Sequence, residues 1–120
     1  CHMLKRAHEM QKEIREQMRG GQGCVEFTHI FQPGELEGAC RLLAKLTLGP
    51  GCSIGRHVHT NEEEIFYILS GTAQVDNNGT QCQLGPGDAL LTGGGQYHAV
   101  ENAGSDDLVI MAIILLHPNK

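Results

Sequence analysis

From Cys24 onward the chain is a series of short apolar segments, none longer than the nine residues from Leu108 to Leu116, separated by Gly, Pro or Asn. Such punctuation suits strands joined by tight turns rather than long helices. Its sharpest instance is Asn77-Asn78-Gly79 between residues 72–76 and 80–84. A hairpin turn of this kind needs residues that tolerate positive φ, and Asn-Gly supplies them. Further strand candidates lie at 25–29, 40–48, 64–69, 89–92, 98–102 and 108–116, with Gly85-Pro86-Gly87-Asp88 breaking the chain between two of them. Short, evenly spaced strands with turn signals between them indicate a barrel or double-sheet jelly roll.

Residues 4–19 read differently. They contain no Gly, Pro or β-branched run, and Met10, Ile14 and Met18 recur at i, i+4 and i+8, which predicts a short N-terminal α-helix over 3–21 with Gly20-Gly21 as its stop. Cys1-His2 ahead of Met3 reads as a cloning remnant, and the barrel is expected over 24–117. The segment from Leu108 to Leu116 does not alternate, so both its faces need cover. One face can fill the barrel. The helix or a second subunit must shield the other, and a homodimer is expected.

Composition narrows the partners. The 120 residues carry a net charge of −5 and no Lys or Arg run able to follow a phosphate backbone, so nucleic acid is not an expected partner. Nine apolar residues fall well short of the roughly 20 needed to cross a bilayer as a helix, so no membrane partner is expected either. Cysteines stand at 1, 24, 40, 52 and 82, an odd number with no C-x-x-C pair. Free thiols in a reducing, cytoplasmic setting are the simplest reading.

The chemistry lies in four residues. His57 and His59 are two apart, so on a strand they share a face. Glu64 opens the next strand candidate, and His98 lies on a third segment. Three imidazoles and a carboxylate converging inside a barrel make a mixed nitrogen and oxygen site for a first-row metal. His8, His29 and His117 fall outside this pattern and read as ordinary surface or packing residues. Gln96 and Tyr97, just before His98, can face the pocket or its rim, while Cys40, Cys52 and Cys82 read as small fillers.

At these positions the sequence resembles the cupin superfamily, in its small single-barrel form with the type-2 conserved barrel. The first family motif runs Gly51-CSIGR-His57-Val58-His59-TNEE-Glu64-IFYILS-Gly71, with every fixed position satisfied. The second runs Gly87-DALLT-Gly93-Gly94-Gly95-QY-His98-AVE-Asn102, departing from the family only in Gly93 where a Pro is usual. That departure is expected to loosen the turn before His98. The resemblance implies an all-β fold, a double-stranded β-helix (jelly-roll) barrel. It also implies one divalent metal per chain (Mn, Fe, Ni, Zn, Co or Cu) on His57, His59, Glu64 and His98. The six-residue step to Gly71 selects Glu64 over Glu63, leaving Glu62 and Glu63 solvated or as acceptors for the ring N–H groups of the ligands.

Four protein ligands leave up to two positions of an octahedral metal open for a small molecule. The expected function is therefore a metal-dependent enzyme acting on a small oxygen-rich substrate. Lewis-acid isomerase, lyase or decarboxylase chemistry and Fe-dependent dioxygenation all fit this frame. The alternative is a non-catalytic ligand-binding or sensor module, because one fold hosts both.

Overall fold

The computed structural model describes residues 3–117, so the expected remnant at Cys1-His2 lies outside the described residues. Ten strands follow in order: β1 (Gln11–Glu16), β2 (Cys24–His29), β3 (Cys40–Leu48), β4 (Ser53–Val58), β5 (Glu62–Ser70), β6 (Ala73–Asn77), β7 (Thr80–Leu84), β8 (Ala89–Gly93), β9 (Tyr97–Asn102) and β10 (Leu108–Leu116). They form a six-stranded sheet, β1-β2-β3-β10-β5-β8, and a four-stranded sheet, β4-β9-β6-β7, with every pairing antiparallel. The inner faces of both sheets supply one core, in which Phe27, Leu46, Ile54, Phe66, Val75, Val100 and Ile110 are almost fully buried. Burying side chains of this size stabilises the fold by about 1.5–3 kcal/mol each.

Local chemistry explains the turns. The β6–β7 hairpin closes on Asn78 and Gly79, both with positive φ, and the Asp76 side chain accepts the Gly79 N–H at 2.9 Å. At the end of β9, buried Asn102 donates to the carbonyls of Leu48 and Asp106, at 2.8 Å each, and accepts the Gly104 N–H. Strand β10 lies between β3 and β5, in the middle of the larger sheet. Its alternate residues Leu108, Ile110, Ala112 and Ile114 face the core, while the residues between them are half-buried on the outer face.

The N-terminal helix does not form. Two single 3₁₀ turns (Ala7–Glu9 and Met18–Gly20) flank β1, which pairs with β2 from Gln11↔His29 to Glu16↔Cys24. Helix propensity is a weak prior, and here the open edge of β2 offers a full ladder of backbone partners. Cross-strand charges favour the same choice: Glu13 meets His29 at 2.6 Å, and Lys12 faces Glu26. The narrow apolar stripe had little to bury as a helix, and Ile14 remains exposed in the strand. As an edge strand rich in charge, β1 also discourages pairing with other chains. It lies at the opposite end of β2 and β3 from β10, so it does not shield the outer face of that strand.

One irregularity positions the site. On β4, Ile54 pairs with Val100 but His57 pairs with His98, so Gly55 and Arg56 together stand opposite Ala99. Such a bulge adds one residue and re-aims everything beyond it. Ile54 and His57 thus both face inward, which strict alternation forbids. Gly55 is also where the chain after β1 packs down, since a Cβ there would collide with the Arg19 carbonyl. Gly55→Ala is expected to lower stability by about 1–3 kcal/mol through overpacking, read as a fall in the chemical denaturation midpoint.

Candidate metal centre

His57 and His98 are direct cross-strand partners on the smaller sheet, and Glu64 faces them from β5 on the larger one. His59 lies just past β4, its backbone pinned by two hydrogen bonds: His59 N–H to the Gln96 carbonyl, and Gly95 N–H to the His59 carbonyl. All four side chains are buried, and one potential ligand atom from each lies within 4.8 Å of all the others. The Glu64 Oε1 atom is 2.9 Å from His59 Nε2, 2.9 Å from His98 Nε2 and 3.7 Å from His57 Nε2. The structure thus brings together all four residues singled out in the sequence.

Each imidazole is held from behind. His57 Nδ1 faces the Gly55 carbonyl at 2.8 Å, His59 Nδ1 a carboxylate oxygen of Glu62 at 2.6 Å, and His98 Nδ1 the Thr92 hydroxyl at 2.9 Å. The first two partners only accept, so His57 and His59 carry a proton on Nδ1, and the third contact is compatible with the same tautomer. The Nε2 lone pairs then point inward, with His98 Nε2 3.0 Å from His57 Nε2 and 3.1 Å from His59 Nε2. Lone pairs packed this closely beside a carboxylate repel one another unless a proton or a cation lies among them. Three neutral imidazoles and one carboxylate suit a divalent transition metal.

In the absence of a metal, protons take its place: burial alone would raise the Glu64 pKa, but imidazoles protonated on Nε2 and donating to it outweigh burial and hold the carboxyl well below its usual range. Burial likewise opposes a charged His59, yet its bonds to Glu64 and Glu62 raise its pKa above the ordinary value. Burial prevails at His98, where Glu64 offsets only part of the fall. Glu62 is lowered to about 2, chiefly by its hydrogen bond from Arg41. That guanidinium grips both Glu62 oxygens, at 2.7 and 2.8 Å. A chain of contacts therefore runs from Arg41 through Glu62 to His59.

Above the centre opens a cavity of about 390 Å³, lined by His57, His59 and Glu64 together with apolar residues from both sheets. Arg15, Arg19, Arg41 and His29 also line it. None of these four was legible as a site residue, because two come from the segment expected to be helical and the others carry no motif. Of the remaining expectations, Tyr97 lies beneath the Arg56 guanidinium, 4.5 Å from its ring centroid, and does not line this cavity. Gly93 is close-packed rather than loose: a Cβ there would meet the Glu63 Cβ at 2.9 Å and the Glu62 carbonyl at 3.1 Å. Cys24, Cys40, Cys52 and Cys82 are free thiols.

The cupin-domain family model matches residues 44–114, which span Glu64 and all three histidines. The chain belongs to the cupin family. This cupin is 39% identical to an oxalate-binding protein of Thermotoga maritima, over 95% of its own length and 94% of that protein. It also matches the crystal structure of a predicted oxalate decarboxylase from Thermotoga maritima with a TM-score of 0.90 and 38% identity, covering 95% of this chain and 99% of that one. A shorter match, 29% identical, links 63% of the chain to 51% of the tetracenomycin polyketide synthase protein TcmJ of Streptomyces glaucescens. No helix among the described residues is long and apolar enough to cross a membrane.

Purified protein is expected to take up about one Co(II) or Zn(II) per chain, and His98→Ala to retain only traces while keeping its β-sheet circular dichroism. In the same titration Glu62→Ala is expected to weaken uptake roughly 10–100-fold, as loss of an orienting acceptor does elsewhere.

Proposed function

We propose that this cupin holds a divalent metal on His57, His59, Glu64 and His98 and uses it to capture a small oxygen-rich acid of the oxalate type. The observation that carries this reading is the convergence of four ligand atoms beneath an open cavity that contains three arginines. A bound metal would supply Lewis-acid binding of the acid's oxygens at its open positions. The protein contributes the rest. The Nδ1 contacts hold the imidazoles in place, and Phe66 stacks on His98 with centroids 4.7 Å apart. Buried Phe27, Leu46 and Ile54 keep the surroundings dry. The oxalate-binding relative supports the ligand class.

Turnover is the second reading, an isomerase, lyase or decarboxylase rather than a capture module. It is favoured by the His29–Glu13 pair, in which an imidazole lining the cavity contacts a carboxylate at 2.6 Å and can pass a proton. Oxalate is expected to raise the melting temperature of the metal-loaded protein and leave the metal-free protein unchanged. At 100 times its Kd the added stability is about 2.7 kcal/mol. No shift in the loaded protein would overturn the ligand class, while formate and carbon dioxide released in the same samples would favour the decarboxylase reading.

A homodimer forms part of this proposal. Leu91, Ile65, Ile113 and Leu43 occupy one cross-strand row on the outer face of the larger sheet, with Leu91 60% and Tyr67 45% exposed. A second copy of the same face covers such a row by isologous pairing. Light scattering is expected to give twice the mass of one chain, and Leu91→Glu to give one.

A further inference from the structure

We propose that the ligand has a second anionic end, a carboxylate that Arg19 meets at the mouth of the cavity while the first end is chelated at the metal centre. This rests on the metal-and-acid reading above and extends it to the length and charge of the ligand.

Size is the first argument. About 390 Å³ falls within the range of pockets for small organic molecules and exceeds what oxalate alone fills. The distribution of lining groups is the second. Buried ligands stand at one end, buried apolar Phe27, Leu46 and Ile54 contribute the wall, and the exposed residues Arg15, Arg19 and Arg41 stand toward solvent. A molecule with a polar head, a short carbon spacer and a distal anion matches that order.

Charge decides which arginine is free to act. Arg15 is engaged by Glu13, at 3.0 and 3.2 Å, and lies over the Phe27 ring. Arg41 is held by both oxygens of Glu62. Arg19 has no carboxylate partner among the described residues, and Glu64 is the one carboxylate residue lining the cavity. With a divalent metal partly neutralised by Glu64, and Arg15 and Arg41 neutralised by their own partners, two positive charges are left over: one at the floor and one at Arg19. A dianion balances them.

The turn that carries Arg19 is also built to hold it there. Gln17 and Arg19 both adopt positive φ, 48° and 54°, which non-glycine residues rarely do. The turn is closed by Gly20 N–H to the Gln17 carbonyl and Gly21 N–H to the Met18 carbonyl. It packs directly on glycines, since a Cβ on Gly55 would strike the Arg19 carbonyl and one on Gly21 the Ser53 carbonyl. Backbone strain maintained by surrounding packing is a mark of functional placement.

The test compares 2-oxoglutarate with 2-oxopentanoate, which has the same carbon chain and the same chelating 2-oxo acid head but lacks the distal carboxylate. Both are titrated, with oxalate alongside, into Co(II)-loaded protein, following heat and the visible Co(II) spectrum. The expected result is at least tenfold tighter binding of 2-oxoglutarate. That advantage should collapse to under twofold in Arg19→Gln, recover in part in Arg19→Lys, and shrink in 0.5 M salt. Circular dichroism and Co(II) stoichiometry verify that the variants are folded and loaded. Equal affinities in the unaltered protein, or an advantage that survives Arg19→Gln, would overturn the proposal while leaving metal-held acid capture intact. If neither 2-oxo acid nor oxalate perturbs the Co(II) spectrum, the capture reading falls and this inference with it.

Discussion

Three imidazole nitrogens and a carboxylate oxygen meet in a buried space where their lone pairs oppose one another, and much of the barrel serves to keep them there. The groups come from both sheets: His57 and His98 from the smaller, Glu64 from the larger. The acceptors behind the rings are equally dispersed, a bulge carbonyl at Gly55, a carboxylate at Glu62 and a hydroxyl at Thr92. Thr92 is the direct cross-strand partner of Glu64, so one rung of the β5–β8 ladder positions both Glu64 and the anchor of His98. Electrostatic repulsion at the centre is thus resisted by hydrogen bonds distributed over the fold. A cation turns that repulsion into attraction.

Much of this was legible in the sequence, for identifiable reasons. Strands β3 and β10 begin and end at the expected residues, because long β-branched and leucine-rich segments bounded by turn residues leave little choice. The β6–β7 hairpin announced itself through Asn78 and Gly79. The four converging residues, His57, His59, Glu64 and His98, were readable because their spacing is a motif. What escaped was context. A helical period in residues 4–19 lost to the hydrogen-bonding edge of β2, which no local window contains. Arg15, Arg19, Arg41 and His29 reach the cavity through tertiary placement alone.

The failed helix and the shape of the cavity are one matter. Had residues 4–19 been helical, Met18 and Arg19 would have lain along a surface rod. As an edge strand followed by a tight turn, the same residues fold over the barrel end and line its cavity. The contact depends on glycine at two facing positions, Gly21 and Gly55, where backbone meets backbone with no space for side chains. One glycine therefore serves three tasks: it forms the bulge, offers the carbonyl that orients His57, and seats the turn that carries Arg19.

The bulge on β4 also acts as a parity counter. A strand reads its residues as odd and even, and the extra residue between Ile54 and His57 switches which set faces inward. Were the same residues laid out in regular alternation with no bulge, Arg56 and Val58 would face the interior and His57 would turn toward water. The inward placement of His57 is thus set by the backbone at Gly55 and Arg56 as much as by residue identity. A change that straightened the strand at Gly55 and Arg56 would scatter the cluster with every imidazole still present in the sequence.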